Sequence, residues 1–187
     1  MRQIPKFETE RTFITVLSPN DFELLLRYRN ENATHLAPWE PLREPSYYSP
    51  EEGKNRIKEA YEKFFQDTAV HLVGLDKHKQ EIIGMCNFTN IIWGPFQACN
   101  LGYSVAKKYQ GKGFMYEILK PSIDYIFKEF EIHRIMANHI PTNVRSAKLL
   151  TRLGFEKEGL AKSYLKIAGR WQDHVLTAKI NPSHLNS

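Results

Sequence analysis

The chain has 187 residues, of which 42% are hydrophobic and 25% are charged, values that are ordinary for one globular domain. No apolar run approaches a membrane span, and the charged N-terminus lacks the apolar centre of a signal peptide. We therefore expect a single domain over residues 1–187, located in the cytoplasm. The net charge of +5 suits an anionic partner, such as a phosphate-rich cofactor or nucleic acid, without selecting one.

The first part of the chain predicts one strand and two helices. "FETERTFITVL" alternates as an opening strand does, and Ser18 with Pro19 is typical of a helix start, for a helix ending near Asn32. "THLAPWEPLREPSYY" is rich in proline and aromatic residues and predicts a loop. Ser49 and Glu52 form the pattern of a capping box at the start of the second helix.

The pattern then changes to strands. "AVHLVGL" and "EIIGMCNFTNI" are β-rich, are separated by a polar turn, and predict an antiparallel hairpin, and "CNLGYSV" predicts a further strand. Two cysteines, Cys86 and Cys99, fall in these strands with no Cys-x-x-Cys spacing, so we predict buried free thiols and no metal site.

The remaining elements alternate. "FMYEILKPSIDYIFKEF" has helical spacing, with a kink or widened turn expected at Pro121, and "IHRIMANHI" predicts a strand. "TNVRSAKLLTRLGF" predicts a helix that ends at Gly154, and two strands follow around the turn "AGR". We expect a parallel crossover between Leu101 and Ala137. The predicted fold class is α+β (mixed α/β), with a mixed, mostly antiparallel sheet that has helices on both faces.

A glycine-containing loop joins the "CNLGYSV" strand to the next helix. Such a loop aims several backbone N–H groups and a helix N-terminus at one point, which favours an anion, although a plain turn would also contain glycines. Gly111 and Gly113 leave the backbone accessible, and lysines surround them. A Walker loop is excluded because Lys112 is followed by Gly113 rather than Ser or Thr, and the third glycine of a dinucleotide fold is missing.

The chain resembles the Gcn5-related N-acetyltransferase (GNAT) family. The resemblance lies in "YQGKGFM", in "HRIMANHIPTNVRSAKLLTRLGFEKEG" and in the order of elements, and it covers about Phe7 to Ile180. Within the family, "HLAPWEP", "IIGMCNF", "CNLGYSV" and "RWQDHVLTA" resemble the RimJ-type ribosomal-protein-alanine N-acetyltransferases. The resemblance implies the GNAT fold, with a V-shaped splay between the fourth and fifth strands. It also implies acetyl-CoA as cosubstrate, without a metal, and the N-terminal amine of a ribosomal protein as acceptor.

The resemblance also implies a set of cofactor-binding residues. In this family the pantetheine arm enters the splay, so backbone groups of Tyr103, Ser104 and Val105 would face the thioester. Asn143 matches an asparagine near the pantetheine arm, although Asn is equally a good helix N-cap. The pyrophosphate would lie on the family's glycine loop, here Gln110, Gly111, Lys112, Gly113, Phe114 and Met115. Met115 departs from the pattern, which usually has Gly or Ala there; we expect little cost because the loop binds through its backbone.

The catalytic residues are less well defined. Many relatives use a tyrosine as general acid at the position that is Leu150 here, which cannot donate a proton. Ser146 matches a serine near the cofactor sulfur and is the first candidate acid, with Tyr103 and Tyr164 less favoured. Glu40, in the aromatic loop, is the candidate to face the amine. The candidate bases are Glu40, His71, His133, His139, Glu158 and Asp173, and a water chain is an alternative to all of them.

Five aromatic residues on predicted loops could line a substrate groove or cover the core: Trp39, Tyr47, Tyr48, Trp93 and Phe96. Two other functions stay open. One is acetyl transfer to another peptide or to a small amine. The other is a ribosome-assembly or RNA-contacting factor with a vestigial CoA site, which the sequence disfavours because it has no dense basic stripe with interleaved aromatics. Oligomeric state is not predicted.

Overall fold

The computed structural model describes residues 2–184. Within them, four α-helices and eight strands follow one another along the chain. The helices are α1 Phe22–Leu36, α2 Pro50–Phe65, α3 Phe114–Glu129 and α4 Val144–Arg152. The strands are β1 Lys6–Glu8, β2 Phe13–Val16, β3 Val70–Leu75, β4 Ile82–Ile92, β5 Ala98–Val105, β6 Arg134–Met136, β7 Glu156–Ile167 and β8 Arg170–Ile180.

All eight strands form one sheet in the order β1-β2-β3-β4-β5-β6-β8-β7. Every neighbouring pair is antiparallel except β5 and β6, which are parallel and are joined through α3. This confirms the crossover predicted from the sequence. The antiparallel β3–β4 hairpin is confirmed as well.

The parallel pair separates after a short contact. β5 pairs with β6 only where Ala98, Cys99 and Asn100 face Arg134 to Met136. The rest of β5, from Leu101 to Val105, pairs with β4 alone. The sheet therefore opens into a V on the β6 side of β5, as the family resemblance implies.

The predicted opening strand is in fact two strands. Thr9 and Thr12 close a tight turn, in which the Thr9 amide donates to the Thr12 carbonyl at 2.9 Å. The chain reverses there, so β1 pairs antiparallel with β2. The splay therefore lies between the fifth and sixth strands of the complete sheet, one later than the count made from the sequence.

The first helix is longer than predicted. It continues past Asn32 to Leu36, because no proline interrupts it before Pro38, and the Ala37 amide bonds back to Ala33. A single helix also continues through Pro121, where the hydroxyl of Ser122 donates to the Ile118 carbonyl at 2.7 Å.

Helices cover both faces of the sheet. On one face, α1 and α2 pack against residues that include Val73, Leu75 and Ile82. On the other face, α3 contributes the largest share of the main core, together with Leu150 and Leu153 near the end of α4. Cys86 and Cys99 are free thiols buried in β4 and β5, as the sequence predicts.

Candidate active site

The glycine loop has the backbone geometry that suits an anion. Gly111 and Gly113 adopt φ of 71° and 82°, in the left-handed region that glycine enters at low cost. Helix α3 begins directly afterwards, at Phe114. The N–H groups of Phe114, Met115 and Tyr116, in the first turn of α3, have no acceptor inside the helix, as at any helix N-terminus. They lie at the positive end of α3, directly after the glycines, which favours an anion there.

The loop is tied to the β1–β2 turn by one ion pair. Glu117, in the first turn of α3, accepts from the backbone N–H and from Nε of Arg11, each at 2.7 Å. The same arginine donates to the Lys112 carbonyl at 3.0 Å and lies 4.0 Å over the Phe114 ring. Arg11 therefore orients the loop and the start of α3 together.

Helix α1 holds the other side of the loop. The buried side chain of Asn32 accepts from the Lys107 amide at 2.8 Å, and Nε2 of His35 lies 2.9 Å from the Val105 carbonyl oxygen. Gln110 lies 3.3 Å from Nδ1 of His35 and accepts a 2.7 Å bond from Arg145 of α4. The Gln110 side chain thus links two helices across the entrance of the splay.

Met115, which departs from the family pattern, has its side chain in the core. It is 7% exposed, and its sulfur would lie 3.3 Å from a Cβ placed at Gly84. Gly84 on β4 therefore leaves room for the longer side chain. The Met115 side chain does not occupy the space above the loop.

Two of the three predicted catalytic residues lie together. The Tyr103 hydroxyl is 2.6 Å from Oγ of Ser146, which joins β5 to α4 across the splay. Burial raises the pKa of Tyr103 to about 12, so the phenol carries its proton at neutral pH. Asn143 caps α4 by accepting from the Ser146 amide at 3.1 Å, which fixes the position of the serine.

The splay side of β5 also offers backbone donors. The Ala106 amide bonds to Ile83 on β4. In an antiparallel ladder every second residue bonds to the same neighbouring strand, so Ser104 is directed to β4 as Ala106 is. The N–H groups of Tyr103 and Val105, which alternate with them, point to the other edge of β5. That edge is the open one, where a thioester oxygen could be bound.

The third predicted residue, Glu40, lies on the opposite face of the sheet. Successive residues of a strand point to opposite faces, so Ser104 faces α1 whereas Tyr103 faces α4. The Ser104 hydroxyl lies 2.8 Å from that of Tyr28, whose pKa is raised by burial. Both residues line a cavity of about 350 Å³, and Glu40 lines it too. Glu40 is also fixed through its carbonyl, which accepts from the Ala168 amide at 2.8 Å.

The candidate bases are dispersed. Besides Glu40, His71 lines the cavity; Nδ1 of this histidine is 3.0 Å from the Asn87 side chain, and burial lowers its pKa. The other four lie outside the cavity lining and have local partners. His133 stacks on His184, His139 bonds in the bridge to Val175, Glu158 pairs with Arg134, and Asp173 pairs with Lys162.

The loop aromatics divide into two groups. Tyr47 and Tyr48 line the cavity. Trp39 is 41% exposed, and Trp93 and Phe96 are each 47% exposed where the chain enters β5, at the end remote from Tyr103. The first pair fits the predicted groove, whereas Trp93 and Phe96 do not belong to it.

Sequence reasoning missed most residues that line the cavity, among them Tyr28 and Arg29. Both lie inside α1, which has an ordinary polar composition, and both meet parts of the chain that are distant in sequence: Tyr28 meets Ser104, and Arg29 meets the Tyr47 ring. No local signal distinguishes them from the neighbouring Arg27, which is exposed. Across residues 2–184 no cluster of His, Cys, Asp and Glu could hold a metal ion, and no helix there is long and apolar enough to cross a membrane.

A sheet that opens at its parallel pair, with a glycine loop and a helix start at the opening, defines the GNAT class of acetyltransferases. The Acetyltransferase (GNAT) domain model matches residues 11–156, and the chain belongs to this family.

Relatives of known name are similar over most of the chain. The Escherichia coli [Ribosomal protein uS5]-alanine N-acetyltransferase is 45% identical over 96% of this chain and 93% of its own. The crystal structure of the ribosomal-protein-S5-alanine acetyltransferase from Vibrio fischeri has a TM-score of 0.92 and 43% identity, covering 95% and 97% of the two chains. Mycobacterium smegmatis RimJ, solved with CoA-disulfide, has the same fold at a TM-score of 0.86 and 24% identity, covering 98% and 89%.

Proposed function

We propose that the chain is one N-acetyltransferase domain, acting in the cytoplasm, that acetylates the N-terminal amine of a ribosomal protein beginning with alanine. The 45% identity to an enzyme named for that reaction, over nearly the full length of both chains, carries this proposal. The open splay and its glycine loop supply a matching donor site.

Acetyl-CoA would supply the acetyl group, and the residues of the loop fit its pyrophosphate. The N–H groups of Phe114, Met115 and Tyr116 at the start of α3 have no acceptor inside the helix and would donate to the phosphate oxygens. Gly111 has no atom within 4 Å of the position where a Cβ would stand, so the approach to its backbone is open. The N–H groups of Tyr103 and Val105 would receive the thioester oxygen as negative charge develops on it.

The proposed reaction is a direct attack in a ternary complex. The acceptor nitrogen forms a bond to the acetyl carbon, the carbon–sulfur bond breaks, and CoA leaves as a thiolate. Ser146 would protonate that sulfur, and Tyr103 would pass its own proton to the serine through their 2.6 Å contact. The phenolate left on Tyr103 would regain a proton from water as CoA leaves, which restores the starting state. The amine loses its proton to water or to a cavity residue.

The cavity on the α1–α2 face would hold the acceptor. Glu40 offers a carboxylate to the cationic amine, and an N-terminal amine with a pKa near ~8 needs only a weak base. We assign the deprotonation to a water chain between Glu40 and the Tyr28–Ser104 pair. Ser104 is next to Tyr103 on β5 and points to the opposite face of the sheet. The acceptor would therefore reach the splay from the face opposite to α4.

The test is acetylation of a peptide that copies the N-terminus of uS5 from the same organism. We expect release of CoA and addition of one acetyl group to the α-amine, measured by thiol assay and mass spectrometry. The same peptide with its amine already blocked serves as control. Absence of turnover with the free peptide would refute the proposal.

A small-amine acceptor is tested in the same assay. The Vibrio cholerae spermidine N(1)-acetyltransferase is 24% identical to this chain over 84% of it. However, four cationic side chains line the cavity, Arg29, Arg43, Arg56 and Lys63, against two carboxylates, Glu40 and Glu59, so its net positive charge would disfavour a polycation. We therefore expect spermidine to be a poor substrate beside the peptide.

A further inference from the structure

One arginine of the cavity has no anionic partner. Three of the four cations that line it form ion pairs, namely Arg43 with Glu40 at 3.4 Å, Arg56 with Glu52 at 2.5 Å and Lys63 with Glu59 at 2.6 Å. Arg29 forms none with any residue in 2–184. Its Nη1 is also the one buried side-chain nitrogen or oxygen in that range without a hydrogen-bond partner.

The surroundings make this lone cation costly. The Arg29 guanidinium lies 4.4 Å from the centre of the Tyr47 ring, and Arg43 and Arg56 lie over the same ring at 4.5 and 4.9 Å. Burial lowers the pKa of Arg29, and the positive charges of Arg56 and Arg43 lower it further; Tyr47 and the charge of Glu52, which is itself paired with Arg56, act in the opposite direction without reversing the shift. A buried donor left unpaired beside two like charges is destabilising unless an anion arrives.

The arginine is also connected to the reaction site. Arg29 follows Tyr28 on α1, and the cavity that contains Arg29 extends to Ser104, whose hydroxyl meets that of Tyr28. A peptide whose amine reaches the splay past Ser104 would have its next residues in this cavity. The guanidinium presents a planar set of donors that matches a carboxylate.

We propose that Arg29 binds a side-chain carboxylate of the acceptor, carried by an Asp or Glu within the few residues after the N-terminal alanine. The inference rests on the proposed function and gives it a sequence preference beyond the first residue. Arg29 would act as a specificity determinant and would not touch the reacting atoms.

The experiment compares alanine-starting peptides that differ in one group. A single glutamate is placed at position 2, 3 or 4, and each peptide is matched by one with glutamine there. All peptides are amidated at the C-terminus, so the side chain is the only carboxylate that varies. We expect kcat/KM for one glutamate peptide to exceed that of its glutamine partner roughly tenfold or more, the value of a charge-assisted hydrogen bond.

Two variants of Arg29 test whether this residue causes the preference for glutamate. Arg29→Gln should bring the ratio of kcat/KM between the glutamate peptide and its glutamine partner close to one, and Arg29→Lys should keep part of the wild-type ratio. Arg27→Gln is the matched control, because Arg27 is exposed on the same helix and donates to the carbonyl of Gln80, outside the cavity lining. It should keep the full preference.

The outcomes separate the two proposals. Equal rates for glutamate and glutamine peptides at all three positions would overturn the role of Arg29 and leave the acetyltransferase proposal standing. A glutamate preference that persists in Arg29→Gln would overturn it as well. If no alanine peptide is acetylated, the proposed function fails and this inference fails with it.

Discussion

At the scale of single residues, the proton for the departing sulfur would have to come from a serine. The family's usual tyrosine position is Leu150, which is 1% exposed and packed in the core. A serine hydroxyl alone is a weak acid, but a protonated phenol 2.6 Å away can replace the proton that it gives up. Tyr103 and Ser146 would therefore act as one unit.

Replacing Ser146 by Ala should lower kcat, with little change in the KM for acetyl-CoA, because the hydroxyl acts only as the sulfur leaves. A loss of roughly 10²-fold, at the lower end for general acid catalysis, is expected since a thiolate is already a fair leaving group. Steady-state kinetics with the peptide measures it. Tyr103→Phe should lower kcat less, and the double variant should be no worse than Ser146→Ala alone.

Tyr164→Phe is the control for this experiment. Tyr164 is 42% exposed on β7, its ring contacts His174, and its hydroxyl lies 3.5 Å from the Asn138 side chain. The hydroxyl next to Ser146 is that of Tyr103, so removing the Tyr164 hydroxyl should leave kcat unchanged. An unchanged kcat in Ser146→Ala would contradict the proposed relay.

At the scale of elements, the Arg11–Glu117 pair connects the β1–β2 turn to the start of α3. Burial alone would raise the pKa of Glu117, but hydrogen bonds from Thr9 and Arg11, with the arginine charge, give a net lowering. A lowered pKa means that the pair stabilises the fold while the carboxylate is ionised. This contribution is present above the unfolded pKa of about 4.3 and is lost as pH falls through the folded value.

Glu117→Gln should therefore lower the free energy of unfolding by about 2 kcal/mol at pH 7, the value of hydrogen bonds to a charged group. The difference from wild type should shrink as pH falls below about 4, when the wild-type carboxylate is protonated too. Urea denaturation at a series of pH values measures both effects. Glu129→Gln, on the exposed end of α3, should stay within about 0.5 kcal/mol of wild type. A difference that persists at low pH would contradict the ionic role.

The glycine loop gives a second test at this scale. Gly113→Val should weaken CoA binding by more than about tenfold, because a β-branched residue at φ of 82° costs ~1–3 kcal/mol and shifts the N–H groups. Calorimetric titration with CoA measures it. Gly94→Val is the matched control, since Gly94 has φ of 76° in a distant loop with open space around it. Unchanged affinity in a folded Gly113→Val protein would refute the loop assignment.

Most elements could be predicted from the sequence because their signals are local. The caps Ser49 and Asn143 and the terminator Gly154 stand where the structure has them. The split of the first strand was missed because the Thr9–Thr12 turn contains neither Gly nor Pro. The contact between Tyr103 and Ser146, and the lack of a hydrogen-bond partner for Nη1 of Arg29, depend on how elements distant in the sequence pack together. No local sequence pattern predicts them.

At the scale of the whole molecule, the sheet would separate the two substrates. Ser146 lies on the α4 side of β5, whereas Glu40 and the cavity lie on the α1–α2 side. Donor and acceptor would meet only at the splay, each approaching from its own side. This arrangement favours a ternary complex over an acetylated enzyme.

The two buried cysteines also favour direct transfer in a ternary complex over an acetylated enzyme. Cys86 and Cys99 are 0% exposed, and burial raises the pKa of each thiol to about 12. The reactive form of a cysteine is its thiolate, so neither residue can accept the acetyl group at neutral pH.

Initial rates measured against both substrates should therefore give double-reciprocal lines that intersect, as a ternary complex requires. The protein incubated with acetyl-CoA alone should keep its mass, because no side chain becomes acetylated as an intermediate. A variant with both Cys86 and Cys99 changed to Ala should retain its kcat, even though the smaller side chains in the core lower its unfolding temperature. Parallel lines, or an acetylated protein that passes its acetyl group to the peptide, would contradict direct transfer. Since the two faces of the sheet would load independently, saturating peptide should also leave CoA binding possible.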